Sequence, residues 1–230
     1  GHLKYCTHVL TFDEKDAETL PKDLPLKAQW CPPVVGWRDV CDKIKLPAVA
    51  TAAFQGTLYS RERLAFCECP ELKSLLSHPD LPEISTQWPE QFDTIQQNCV
   101  TMLASKKLSV SLWFQTYISQ LCTIRRQLND LWQKGLHQSY AQVNLPSIFK
   151  SYAGRVVESM AAGRPMISWK PPRERTQSLF TPGKEILWFD RDKPEQLAEQ
   201  IRWLQTNPDQ ARQMVEAARR KVLRYHTAEI

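Results

Sequence analysis

The sequence predicts an α/β domain built on a parallel sheet with helices on both faces. Three observations carry this. Short apolar runs, AQVNLP (141–146), MISW (166–169) and EILWFD (185–190), alternate with helical stretches through the second half. Such runs suit strands covered on both faces. Glycine is scarce at 7 residues and proline common at 16, which favours defined elements joined by stiff corners. Hydrophobic residues make up 42% of the 230, enough for a substantial core.

HVLTF (8–12) is a short apolar run and predicts a strand. Asp13 is placed to cap the helix DEKDAETL, which PKDLP breaks. LKAQWCPPVVGW (26–37) predicts a second strand ending at a Pro-Pro corner. LPAVATAAFQG (46–56) is apolar and closes on Gly56-Thr57. RERLAFCECPELKSLL (61–76) then carries Leu64, Phe66, Cys67, Leu72, Leu75 and Leu76 at helical spacing. Strand, glycine turn and helix follow the order of a phosphate-binding unit, and of α/β proteins generally.

HPDLPEISTQWPEQF (78–92) is proline-rich and reads as a connection. From Phe92 to Leu131 the pattern is helical, with Lys106-Lys107 marking a break between two helices. After the strand at 141–146, Pro146 forces a loop into a helix over 151–162. KPPRERTQSLFTPG (170–183) reads as a long mobile loop. Two helices open at Asp192-Lys193-Pro194 and Asn207-Pro208, with proline in the first turn. Arg212, Arg219, Arg220, Lys221 and Arg224 are assigned to the solvated side of the last one.

The net charge of +5 suits an anionic partner without selecting it. Nucleic acid, a phosphorylated small molecule and an acidic membrane surface all remain open at this point. Nucleic acid is disfavoured because no recognition motif or aromatic–basic interleaving accompanies the charge. The seven cysteines are odd in number and scattered, with Cys67-Glu68-Cys69 the closest pair and no partner set to complete a zinc site. This predicts reduced thiols, no metal and a cytoplasmic chain, compatible with a peripheral membrane location. No apolar run is long enough for a transmembrane segment, and no signal peptide opens the sequence.

The segment SYAGRVVESMAAGRPMISW (151–169) is the most informative. Ser151 is a candidate N-cap, and Arg155 and Glu158 then share one face of the first two turns. Val156, Val157, Met160 and Ala161 cover the sheet side, Gly163 suits a left-handed helix end, and Pro165 stops continuation. Backbone N–H groups near Tyr152, Ala153 and Gly154 give the start partial positive charge. Gly154 allows close approach, Arg155 offers a fork suited to phosphate, and Glu158 can accept from a sugar diol. The bland alternative is a surface Arg–Glu pair worth roughly 0.2–0.5 kcal/mol.

VNLPSIFKSYAGRVVESMAAGRPMISW, with LFTPGKEILWFDRDKPEQLAEQIRWL and NPDQARQMVEAARRKVLRYHT, resembles the C-terminal, donor-binding half of a GT-B glycosyltransferase. The spore-maturation-like branch of the group 1 enzymes is the most similar. AFQGTLYSRERL resembles the family's first strand and glycine turn. The resemblance implies a Rossmann-like fold, one half of GT-B, over 41–230, preceded at 1–40 by a remnant of another domain and its hinge. It implies that Glu158 binds the donor ribose, and that Arg155 with Ser151, Tyr152 and Gly154 faces the diphosphate. Gly56 and Thr57 would approach the same phosphates, and Arg61 or Arg63 would add positive charge. The structural alternatives are a simple turn at Gly56, a helix cap at Thr57, and solvent-facing Arg61 and Arg63.

The implied substrate is a UDP- or GDP-linked nucleotide-sugar, with no cofactor and no metal, and the acceptor is an unspecified glycan, lipid or protein. Many retaining members carry a second glutamate where this chain has Lys150, so stereochemistry does not carry over. A complete enzyme also has an N-terminal acceptor domain, which leaves this chain alone inactive or weakly active. The competing reading is a non-catalytic Rossmann-like module or subunit that docks a partner protein.

Overall fold

The computed structural model describes residues 2–36, 40–47, 51–58, 60–78, 87–105, 109–148 and 151–228. They divide into two compact units, residues 1–78 with 136–230, and residues 79–135.

In the larger unit, β1 (His8–Thr11), α1 (Glu14–Asp23) and β2 (Lys27–Trp30) form a two-stranded parallel β-α-β unit. Asp13 caps α1 by accepting from the Lys15 amide at 2.9 Å. Pro21 lies inside α1 rather than ending it; it sits in the last turn, so its missing N–H removes one bond near a terminus. The Pro32-Pro33 corner does more than end a strand. It passes the chain to a second sheet, where β3 (Val35–Gly36) pairs in parallel with β9 (Thr227–Ala228).

The main sheet is parallel throughout, in the order β5-β4-β6-β7-β8. Its strands are β4 (Ala52–Ala53), β5 (Leu76–Ser77), β6 (Ala141–Asn144), β7 (Met166–Trp169) and β8 (Leu187–Phe189). This is the α/β fold that the sequence predicts. The helical run expected over 61–76 stops early: α2 is Arg61–Glu68, Pro70 prevents continuation, and Leu75 and Leu76 lead into β5.

Alternate strand residues feed two apolar layers. Ile167, Trp169, Leu187 and Phe189 pack with Phe66 of α2 and with Leu197, Ala198 and Ile201 of α7 (Pro194–Thr206). Met166 and Ile186 join Val156, Val157 and Met160 of α5 (Gly154–Ala161), and Ala218 and Val222 of α8 (Pro208–Tyr225). Helices thus cover both faces. The segment read as a mobile loop holds a four-residue helix, α6 (Glu174–Gln177). Its Thr176 amide donates to Glu14 Oε1 at 2.6 Å, and the Thr176 hydroxyl bonds the same oxygen. Of the cations expected to be solvated, Arg219 donates to Cys41 O at 2.5 Å and Lys221 pairs with Glu185 at 2.8 Å.

The smaller unit contains α3 (Gln87–Ala104) and most of α4 (Val110–Gln138), one on each side of the break expected at Lys106-Lys107, which lies outside the described residues.

Candidate functional site

The order of the main sheet locates a topological switch point. The chain leaving β4 passes through α2 to β5 on one side, while the chain leaving β6 passes through α5 to β7 on the other. Their loops diverge at the carboxyl ends of adjacent strands, the switch point at which open parallel sheets hold ligands. Residues 54–58 and 60, and residues 145–148 and 151–153, are the described parts of those loops.

Arg155 joins them. Its Nη1 donates to Gln55 O at 2.7 Å, and its guanidinium lies 4.8 Å from the centre of the Phe54 ring. A Cβ on residue 56 would fall 2.4 Å from Arg155 Nη1, so glycine makes the seat for this side chain. Arg155 itself therefore bridges the helix start and the residue 55–56 turn. The sheet-facing side of α5 is apolar, which leaves Arg155 the side toward the β4 loop.

The helix begins at Gly154, later than expected. Ala153 is the N-cap residue and supplies no side-chain bond, while Ser151 lies two residues further out and is buried. An N-cap side chain must directly precede the first helical residue to reach its amides, and Ser151 does not. Gly154 is exposed, and a Cβ there would meet Glu158 Oε1 at 3.3 Å. The half-buried Glu158 thus folds its carboxylate back over Gly154 toward the positive end of its own helix.

Tyr152 is 2% exposed; its hydroxyl accepts from Trp188 Nε1 at 3.0 Å, and its ring meets Phe180 at 5.7 Å. Burial pushes its phenol well above the usual range. It wedges the loop in place. Arg63, 2% exposed, donates from Nε to Pro146 O at 2.7 Å and from Nη1 to Thr57 O at 2.9 Å. It is not solvent-facing; it ties one switch-point loop to the other from beneath. Arg61 and Thr57 are exposed, and the cap of α2 is Ser60, which accepts from the Arg63 amide at 3.3 Å. Lys150 lies outside the described residues.

Sequence reading missed three contributors. His78 Nε2 bonds Gly56 O at 2.8 Å, and its ring stacks on Phe54 at 5.7 Å. Gln55 and Asn144, at the ends of β4 and β6, each bury an amide oxygen without a hydrogen-bond partner. Such an acceptor costs about 1–3 kcal/mol, a standing demand for a donor. The available signal was a polar residue closing an otherwise apolar strand.

Beside the helix start lies a cavity of about 530 Å³, lined by Ser151–Gly154, by Leu10–Asp13 and Asp16, and by Pro33 and Val34. Its far wall comes from the N-terminal β-α-β unit, not from the 56–57 turn. Acidic Asp13 and Asp16 thus face the backbone of the 151–154 loop. Among the described residues no group of three or more His, Cys, Asp or Glu side chains is placed to hold a metal ion.

Residues 127–229 match the model of the glycosyl transferase-like family. The chain carries a glycosyl transferase-like domain. Solved structures agree on the fold. The chain is similar to sucrose-phosphate synthase from Thermosynechococcus elongatus (12% identity, TM-score 0.52), covering 96% of this chain and 54% of that one. It is similar to Anabaena HepE in complex with UDP and glucose (9%, 0.57), covering 96% and 59%. A Rickettsia africae glycosyltransferase gives 10% and 0.55, with 96% and 59% covered. The glycosyl transferase-like domain therefore has the fold of half a GT-B enzyme, and the chain spans about half the length of these structures. No curated protein matches it.

Proposed function

We propose that the switch-point crevice binds a nucleotide-sugar diphosphate and supports glycosyl transfer to an acceptor hydroxyl. The observation that carries this reading is the Arg155 bridge. One guanidinium is fixed to the β4 loop through Gln55 O, at the first turn of a helix whose N-cap residue, Ala153, supplies no side-chain bond. A phosphate at that start receives backbone N–H groups, the helix dipole and the positive charge of Arg155.

Glu158, folded over Gly154, accepts from the ribose hydroxyls. Buried Gln55 and Asn144 supply acceptors for the base or for ordered water. Anabaena HepE, of like fold, has been solved in complex with UDP-glucose, which favours a uridine donor among the candidates. In the transfer step the acceptor hydroxyl attacks the anomeric carbon and gives up its proton to solvent, the bond from that carbon to the diphosphate oxygen breaks, and charge grows on the departing diphosphate. Arg155 and the helix start stabilise that charge. The acceptor approaches from the cavity lined by Asp13 and Asp16. Thr57 and Arg61, both exposed, form the outer rim of the phosphate site.

Calorimetric titration with UDP, GDP and ADP tests the reading: weak binding, with UDP preferred, is expected. Failure of all three to bind overturns it.

The non-catalytic alternative has its own supporting observation. Leu10 (69% exposed), Phe12 (60%) and Val34 (45%) present apolar surface on and beside the N-terminal strands. A stable complex or dimer in solution with no nucleotide affinity would favour that reading.

A further inference from the structure

The smaller unit has an uneven charge distribution that nucleotide binding does not use. Residues 94–129 contain four cations, Lys106, Lys107, Arg125 and Arg126, and no carboxylate. Between the two basic pairs, residues 110–124 carry no charge at all. That stretch is the first half of α4, whose start is held by Ser109 Oγ accepting from the Leu112 amide at 3.2 Å.

Val110 (71% exposed), Phe114 (55%) and Ile118 (40%) follow one another at intervals of four, which places them on a single stripe. Arg125, seven residues beyond Ile118, falls on the same side of the helix. Trp113 and Tyr117 border the stripe, their rings parallel and 5.7 Å apart. Ile124 is buried and marks the inward side, which adjoins the stripe along the edge that Trp113 and Tyr117 border.

An exposed apolar stripe has three possible covers: a second copy, another protein or a lipid surface. The charges argue for the last. Arg125 and Arg126 follow the stripe, and in the sequence Lys106-Lys107 precede it, so a second copy would bring basic segments together in either orientation. An anionic bilayer offers apolar depth for the stripe and phosphate for the arginines. The uncharged stretch is about 22 Å long at the helical rise, short of the roughly 30 Å hydrocarbon core. Among the described residues no helix is long and apolar enough to cross a membrane.

We propose that α4 is an interfacial helix that seats Val110, Phe114 and Ile118 at the headgroup boundary of an anionic bilayer, with Arg125 and Arg126 on lipid phosphates.

Co-sedimentation of the whole chain with vesicles tests it. Phosphatidylcholine vesicles containing about a third phosphatidylglycerol should pellet the protein, and pure phosphatidylcholine should pellet much less, because the basic pairs add several-fold each. Raised salt should release it. The double variant Phe114→Asp/Ile118→Asp should lose at least about tenfold in binding. Arg125→Gln/Arg126→Gln should lose about fivefold or more, with melting temperature and nucleotide binding unchanged. If the apolar variant is misfolded, the arginine variant decides. No pelleting with anionic vesicles, or equal pelleting by wild type and variants, overturns the proposal. So does a wild-type dimer abolished by Phe114→Asp, which would assign the stripe to a second copy. Nucleotide titration reads the other site separately, so failure here leaves that reading standing.

Discussion

Two helices of this chain are built on opposite principles. The site helix α5 has eight residues, of which Val156, Val157, Ser159, Met160 and Ala161 are buried. In isolation it would be too short to persist, so the sheet and α8 hold it. The long helix α4 has 29 residues and keeps itself by length, with most of its first half exposed. The first is positioned by everything around it, through the sheet and α8. The second offers a surface and positions nothing.

The largest expected effect breaks the two apart directly. Met160→Asp buries a carboxylate against Val157 and Ala218 in a fully enclosed layer, and should cost more than about 4 kcal/mol. Phe114→Asp, on an exposed face, should stay within about 0.5 kcal/mol. Urea unfolding followed by circular dichroism reads both, and similar midpoints would remove the contrast. Next comes the end of the short helix. Gly163 has φ +71°, and a Cβ there would lie 3.1 Å from Cys41 Sγ. Gly163→Val should therefore cost about 1–3 kcal/mol, where a valine in the exposed part of α4 costs little.

How far the sequence revealed each region follows from the same contrast. The strands at 141–144, 166–169 and 187–189 were legible because burial on both faces makes them apolar throughout. The last two helices were legible from proline at their first turns. Helix α2 was misread because Leu72, Leu75 and Leu76 continue a helical spacing that Pro70 interrupts, and the interruption outweighs the period. At the site, Arg155 and Glu158 could be singled out as a pair on a helix face. Their directions could not be. Arg155 turns to a carbonyl a hundred residues away, and Glu158 turns back along its own helix. Arg63 was assigned to solvent or to phosphate because no local pattern shows that Pro146 O and Thr57 O would meet it.

A third pair of substitutions tests the bridge itself. Gly56→Ala would place a methyl carbon on the Arg155 guanidinium, whose flexible end can retreat, so the fold should barely notice. Nucleotide affinity should fall about tenfold, the loss of roughly one charge-assisted bond. Glu158→Ala should weaken binding by a similar factor without changing the melting temperature, since this carboxylate is half-buried and sits outside the apolar layers. Calorimetry on both variants is decisive: unchanged affinity would remove Arg155 or Glu158 from the site.

The smallest effect concerns pH. His226 is 3% exposed, stacked 5.2 Å from Phe180, and its Nδ1–H donates to Pro33 O at 3.1 Å. Burial holds its pKa below the ordinary value and the Lys221 charge adds to this, while the bond to Pro33 opposes it. The folded chain therefore prefers the neutral ring. Its contribution is complete above the unfolded value of about 6.5 and is lost as pH falls from there through the lower folded value. His226 joins α8 to the Pro-Pro corner, so acid should loosen the pairing of β3 with β9 and the larger unit with it. The helix α4 carries no such group in its exposed first half and should keep its ellipticity. Melting curves at pH 7.5, 6.5 and 5.5 should show the wild type losing stability steadily. His226→Phe, which keeps the stack but cannot titrate, should flatten that slope. An equal slope in both would assign the acid sensitivity to other groups.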